Sequence, residues 1–182
     1  MAATGKPVVL LLRSGRALAL SGAARNAQAI LATWFLGTET GNAVADLLFG
    51  DVSPSGRLPV IFPFESGQEP FYYNHRGTGR PETAGQPSEY KARYRETGNA
   101  ALFPFGHGLT YGDIRYAAPT VSEPVLAWDG TIRVSARVTN AGQREAEETV
   151  QLYIHDKVAS LTRPVRELKG FRKLRLRPGE SE

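Results

Sequence analysis

Val8 to Leu12 is an unbroken apolar stretch, opened by Pro7 and closed by Arg13. A strand that is apolar on both faces has no side to turn to water, so it needs layers above and below it, the environment of a central strand in a parallel sheet. Ser14-Gly15 breaks the run. A second apolar run, Ala29-Ile30-Leu31-Ala32-Thr33-Trp34-Phe35, stops before Gly37. Its short length and aromatic end favour a second strand over a buried helix. Val44, Leu47 and Leu48 then fall at i, i+3 and i+4, which predicts a helix over Gly41 to Phe49. Thr38 and Thr40 are its candidate N-caps, Glu39 sits near the positive end of its dipole, and Gly50 stands just past its last apolar residue. Two strands and a helix are a piece of an α/β domain and not a whole one, since a lone pair of parallel strands leaves faces and edges uncovered.

From Asp51 the texture changes. Ser53-Pro54-Ser55-Gly56 reads as a turn, and Leu58 to Pro63 as a short extended stretch bracketed by prolines. Glu65 to Asn99 is rich in Gly, Pro, Tyr and Arg and nearly free of periodicity. Loops of that length are uncommon in compact domains unless they are functional or wrap another part of the protein. After Tyr111 the pattern is all β. Thr131 to Thr139 places Ile132, Val134, Ala136 and Val138 on one face and is closed by a turn at Asn140-Ala141-Gly142. Thr149 to His155 alternates likewise, and Glu167 to Arg177 holds a further strand. The fold class expected is therefore an α/β piece followed by an all-β, immunoglobulin-like or fibronectin III-like sandwich. About four strands are visible where such a sandwich needs about seven, so the sandwich is expected to be truncated. The divisions expected are 1–64, a linking loop at 65–112, and 113–182.

Of the 182 residues, 41% are hydrophobic and 22% charged, an ordinary globular mix that argues against disorder. Cys is absent, which excludes a disulfide, a thiolate metal site and a cysteine nucleophile but leaves the compartment open. No apolar stretch is long enough to cross a bilayer as a helix, and the first residues do not read as a signal peptide. The net charge of +4 is mild. Its excess lies late, at Arg163, Arg166, Lys169, Arg172, Lys173, Arg175 and Arg177. Lys173, Arg175 and Arg177 alternate with Leu174 and Leu176, as in a strand with one wet face, and no aromatic interleaving marks a nucleic-acid surface. His75, His107 and His155 have no second ligand at metal-binding spacing, and no glycine pattern forms a phosphate cradle, so no metal and no cofactor are expected.

Taken in order, several segments resemble family 3 glycoside hydrolases of the periplasmic β-glucosidase type. They are Gly5-Lys6-Pro7-Val8-Val9-Leu10, Ser14-Gly15-Arg16, Ala29 through Ala43, Leu47-Leu48-Phe49-Gly50-Asp51, Pro54-Ser55-Gly56-Arg57-Leu58-Pro59, Phe103 through Tyr111, and Arg163 through Phe171. The resemblance covers essentially the whole chain and is specific as a series. It implies a three-part parent: a barrel with the nucleophilic Asp, an α/β sandwich domain and a fibronectin type III-like domain. This chain would start within the second part and stop within the third, with Met1 as a cloning or gene-call start. The parent would be periplasmic or secreted and would act on a β-glucoside or oligosaccharide.

Retaining hydrolysis needs two carboxyl groups about 5 Å apart on opposite sides of the bond. The family's nucleophile and acid/base have no matching position in this chain, so no catalytic residue is assigned and the chain alone is expected to be inactive. Glu39 and Asp46 are about 10.5 Å apart along a helix axis, the wrong spacing for such a pair. Sugars bind by stacking on aromatic rings plus directed hydrogen bonds. That makes Trp34, Tyr72, Tyr73 and Arg80 the candidate substrate-adjacent residues, against the reading that they pack the loop. The alternative function is a free-standing carbohydrate-binding or adhesion module built on the β-sandwich.

Overall fold

A computed structural model of the chain describes residues 2–83 and 89–182. The reading of residue 1 and the part of the long loop at 84–88 lie outside the described residues. In chain order the elements are a 3-10 turn at Ala2–Thr4, β1 (Val9–Leu12), α1 (Gly22–Arg25), β2 (Ala29–Ala32), a 3-10 turn at Gly37–Glu39, α2 (Thr40–Phe49) and a 3-10 turn at Ser66–Gln68. Then come β3 (Ile114–Tyr116), β4 (Thr120–Val121), β5 (Val134–Ser135), β6 (Val138–Asn140), β7 (Ala146–Ile154) and β8 (Glu167–Leu176). The described chain is thus strand-rich with few helices. It divides into two compact units: Met1–Ala45 with Arg57–His107 and Gln151–Gly170, and Asp46–Gly56 with Gly108–Val150 and Phe171–Glu182.

In the first unit β1 and β2 pair in parallel, Val9 opposite Ala29 and Leu12 opposite Ala32. The second strand is shorter than the apolar run that announces it. Thr33 gives both its N–H and its Oγ1 to the carbonyl of Leu12, at 3.0 and 3.2 Å. Trp34 then turns into the left-handed region at φ 52°, which a strand does not accommodate. Leu20, Ile61 and Phe62 are buried in this unit. Gln68, 1% exposed, serves as an internal polar tie. Its Oε1 accepts from the N–H groups of Phe64 and Glu65, and its Nε2 donates to the carbonyls of Gly98 and Ala100. Arg25 binds the same stretch through the carbonyls of Leu20 and Phe64 and the carboxylate of Glu65.

The expected helix is present, but its capping is different. Thr38 lies inside the 3-10 turn at Gly37–Glu39, and the Thr40 hydroxyl donates to the Gly37 carbonyl at 2.6 Å. Neither threonine receives a backbone N–H, because the tight turn leads straight into α2 and takes up the first amides. Glu39 sits at the helix start, accepting from Asn42 Nδ2 at 2.6 Å. Gly50 ends α2 at φ 80°. Val44 and Leu47 are half-buried while Leu48 is exposed, so the apolar stripe is only partly covered.

The second unit is antiparallel. β3 pairs with β6, Tyr116 opposite Val138, and β4 pairs with β5, Thr120 opposite Ser135. Three residues on one side of this ribbon therefore face two on the other, a bulge that shifts the pairing by one residue. This corrects the expectation of one continuous strand over 131–139 with a single apolar face. The strand is broken at Ala136-Arg137, and Val134 is 44% exposed while Val138 is 2% exposed. β7 pairs with β8. Leu174 and Leu176 are buried and Lys173 and Arg175 exposed, the one-sided strand that the alternation predicts. Leu174 and Leu176 join Val138 in a core flanked by Ile114 and Val150.

Asn140, completely buried, is the polar counterpart of that core. Its Nδ2 donates to the carbonyls of Arg144 and Leu176, and its Oδ1 accepts the Gly142 N–H. The turn expected at Asn140-Ala141-Gly142 is thus tied to β8 by the same side chain. Truncation leaves those groups without partners away from water, where one unmade hydrogen bond costs about 1–3 kcal/mol. Asn140→Ala is therefore expected to lose about 2–3 kcal/mol of stability, read from a urea melt.

A second polar set holds the turn at 53–56. Ser55 Oγ donates to Glu147 Oε2 at 3.0 Å, and Lys173 Nζ lies 3.0 Å from that hydroxyl and 3.3 Å from the same carboxylate oxygen. The Ser55 hydroxyl first, and Lys173 after it, hold the Glu147 carboxyl below its ordinary value. A group whose folded value is depressed contributes stability above the ordinary value, about 4.3 for Glu, and loses it as pH falls through the folded value. Glu147→Gln is expected to flatten this part of the acid sensitivity, measured as amide exchange of the 53–56 turn between about pH 6 and about pH 3.

Candidate functional site

The aromatic residues of the first unit are brought together by one short backbone zipper. Leu58 N–H donates to the His107 carbonyl and Gly106 N–H to the Leu58 carbonyl, both at 2.8 Å. Phe62 N–H donates to the Phe103 carbonyl at 2.9 Å, and Leu102 N–H returns to Phe62 at 3.0 Å. The proline-bracketed stretch therefore lies antiparallel to Phe103-Pro104-Phe105-Gly106-His107. A regular strand would put Phe103, Phe105 and His107 on one face; here Phe103 and His107 enter one aromatic cluster and Phe105 another.

The first cluster runs Trp34, Phe62, Phe103, His107. Its ring centroids are 6.1, 6.4 and 5.3 Å apart in that order, and His107 stacks flat on Phe103. Trp34 is a non-glycine residue in the left-handed region, a conformation that costs about 1–3 kcal/mol and persists where the surroundings over-determine it. Here its packing on Phe62 supplies part of that hold. The second cluster stacks Tyr73 on Phe105, with centroids 4.0 Å apart and planes 10° from parallel. Tyr153 meets Tyr73 edge-on at 6.3 Å, and the Arg166 guanidinium lies 5.9 Å from the Tyr153 ring. Burial pushes the Tyr153 phenol up, against the opposing pull of Arg166.

Gly106 sits between the clusters at φ 79°. A Cβ there would fall 2.4 Å from Gln151 Oε1 and 2.5 Å from the Tyr153 hydroxyl, so only glycine fits. Gln151 Nε2 donates to the Gly106 carbonyl at 3.0 Å, and the Tyr153 hydroxyl donates to Gln151 Oε1 at 2.6 Å. Gln151 was not singled out from the sequence. The only signal for it is its place two residues before Tyr153 on an alternating strand.

The four candidate residues are thus distributed. Trp34 is half-buried in the first cluster and Tyr73 half-buried in the second. Tyr73 also accepts the Leu168 N–H on its hydroxyl at 3.4 Å, so its ring is committed to packing. Tyr72, 62% exposed, and Arg80 are open to solvent. The loop that carries them is fastened by its backbone: Val165 N–H donates to His75 and Ala92 N–H to Arg80. A separate open cleft of about 510 Å³, lined by Glu65, Gly67, Gln68, Tyr94, Arg95, Glu96 and Thr97, contains none of the four. Among the described residues no three His, Asp or Glu side chains are grouped so as to hold a metal ion, and no helix is long and apolar enough to cross a membrane.

Residues 1–111 match the glycosyl hydrolase family 3 C-terminal domain, and residues 148–182 match a fibronectin type III-like domain. The chain belongs to glycosyl hydrolase family 3. It is 51% identical over 178 residues to the periplasmic β-glucosidase of Salmonella typhimurium, a match that covers 98% of this chain and 23% of that protein. It is 41% identical over 179 residues to a β-xylosidase of Formosa agariphila, covering 98% of this chain and 24% of that one. The crystal structure of the Listeria innocua β-glucosidase in complex with glucose superimposes with a TM-score of 0.92 at 38% identity, over 99% of this chain and 25% of that one. The chain therefore spans about a quarter of the length of these relatives.

His107 gives the first cluster a pH response. Burial first, and the Arg57 charge second, hold its imidazole below the ordinary value. The unfolded chain then takes the proton first, so the contribution of the neutral ring is complete above about pH 6.5 and is lost as pH falls from there through the folded value. His107→Phe keeps a flat ring against Phe103 and removes the titration. The melting temperature of the parent chain is expected to fall more than that of the variant between about pH 8 and about pH 5.

Proposed function

We propose that this chain is the C-terminal portion of a retaining β-glucosidase, and that it braces and helps to wall the sugar pocket while the carboxylates that do the chemistry stand elsewhere in the polypeptide. The observation that carries this reading is the 51% identity to the Salmonella periplasmic β-glucosidase along nearly the whole chain. The Listeria β-glucosidase, solved with glucose, with gluconolactone and with laminaribiose, supports a glucosyl substrate. The Formosa β-xylosidase keeps a pentosyl substrate as the specific second reading. On this proposal 1–64 is part of an α/β sandwich domain, 65–112 the loop that joins and wraps, and 113–182 part of a fibronectin III-like β-sandwich. The parent protein acts in the periplasm or outside the cell.

Tyr72 and Arg80 face the sugar side, as a stacking ring and a forked donor, while Tyr73 holds their loop from behind and Trp34, packed on Phe62, lines the sugar side only with the edge it leaves open. Double displacement requires two carboxyl groups about 5 Å apart on opposite sides of the glycosidic bond. Residues of this chain thus act on binding and orientation rather than on bond cleavage.

A segment exchange tests this. Replacing the matching quarter of the Salmonella enzyme with this chain is expected to keep aryl β-glucoside hydrolysis within about tenfold, a barrier change near 1.4 kcal/mol. The chain alone is expected to give no turnover above a vector control. A folded chimera without β-glucosidase activity, or a chain that hydrolyses by itself, sinks the proposal.

A further inference from the structure

The carboxyl edge of the β1–β2 sheet carries an exposed ring that the aromatic clusters do not use. The two strands run parallel and end side by side at Leu12 and Ala32. In open parallel α/β sheets, ligands bind in the space outside these carboxyl ends. Here β1 leads into Arg13-Ser14-Gly15-Arg16 and β2 into Thr33-Trp34-Phe35. The Ser14 hydroxyl fixes the first turn, donating to the Arg16 carbonyl at 2.8 Å. The left-handed backbone of Trp34, φ 52°, breaks the second out of the strand. Trp34 packs inward on Phe62, and Phe35 stands 71% exposed beside it.

Phe35 is not simply loose. Its ring lies against the backbone of Gly15, so close that a Cβ on residue 15 would come within 3.1 Å of it. One side of the ring thus rests on a peptide that has no side chain, while most of the ring is open to solvent. Arg13 and Arg16 stand on either side of Gly15 in the same turn, both exposed, and carry forked donors. An open apolar ring face with hydrogen-bond donors at its rim is what a pyranose asks for: its C–H face stacks on the ring and its hydroxyls take the donors.

We infer that Phe35, seated on Gly15, is a stacking platform for a glucosyl ring of the substrate, with Arg13 and Arg16 at its rim. The inference rests on the proposed function and adds to it a binding residue at the carboxyl edge of the sheet. The platform binds and does not react, so it acts on KM rather than on kcat.

The test uses the full-length enzyme that contains this chain, with laminaribiose as substrate. Phe35→Ala is expected to raise KM about three- to tenfold, the range of an aromatic stacking contact, with kcat changed by less than about twofold. Phe35→Tyr keeps the ring and is expected to restore KM. Gly15→Ala, which displaces the ring without altering it, is expected to raise KM in the same direction by less. An unchanged KM in Phe35→Ala overturns the inference. So does a Phe35→Ala variant that melts lower and loses kcat and KM together, since that marks a ring packed against another part of the protein. A wild-type enzyme that hydrolyses no β-glucoside removes the proposed function, whereas an active enzyme indifferent to Phe35 and Gly15 removes only the platform.

Discussion

The first unit depends on a backbone pairing that involves few residues. Leu58 to Phe62 lies against Leu102 to His107 through main-chain hydrogen bonds. The Gln68 side chain supports this pairing from between the two segments, joining Phe64 and Glu65 to Gly98 and Ala100. Among its described residues the intervening stretch has little regular structure beyond the turn at Ser66–Gln68. Prolines at 59 and 63 suit this arrangement, since Pro cannot donate to a ladder and is confined to edges and short extended pieces. Gly106 then adds a steric requirement: Gln151 and Tyr153 leave no space for a side chain there, and Gln151 returns a hydrogen bond to the Gly106 carbonyl. The backbone pairing and the side-chain lock meet on the same residues. A change at any of them is therefore felt in both aromatic clusters, not in one.

Stability and surface charge are decided by different residues. Several ion pairs lie on the outside of β8, among them Arg175 with Glu145 at 2.6 Å and Lys169 with Glu167 at 3.1 Å. Pairs as exposed as these are worth about 0–1 kcal/mol each. The buried polar groups matter more. Gln68 and Asn140 each span two chain segments, and among the described residues no buried side-chain nitrogen or oxygen lacks a partner. A satisfied buried amide adds modest net stability, but it specifies register, because shifting either segment by one residue orphans several groups at once.

The periodic parts of this architecture were legible in the residues. The unbroken Val8–Leu12 run foretold a parallel strand, the spacing of Val44 and Leu47 foretold α2, and the Lys-Leu-Arg-Leu alternation foretold the one-sided β8. Each of these signals follows from the geometry of a single element. What was not legible depends on partners. The break at Ala136-Arg137 comes from a mismatch of two antiparallel pairings, which no one strand encodes. The tight turn that replaces a side-chain cap on α2 depends on how the chain arrives from β2. The split of Tyr72 from Tyr73 has the same origin. They are adjacent in sequence and chemically alike, yet Phe105 and Tyr153 commit Tyr73 to packing, while Tyr72 has the outward position.

Under the proposed function, that split bears on how a chain without assigned catalytic carboxylates would shape the sugar pocket. A loop has no regular ladder to stiffen it, so an exposed aromatic on it binds only as well as it is held. Tyr73 supplies the hold: stacked on Phe105 and hydrogen-bonded to the Leu168 amide, it fixes the backbone from which Tyr72 projects. The same division appears at Trp34 and Phe35, where the inward ring fixes the turn and the outward ring stays open. In both places one aromatic residue contributes the packing energy that keeps its neighbour ordered before any ligand arrives. Preorganisation of this kind lowers the entropy lost on binding, and its loss shows in affinity even when the residue removed touches no ligand.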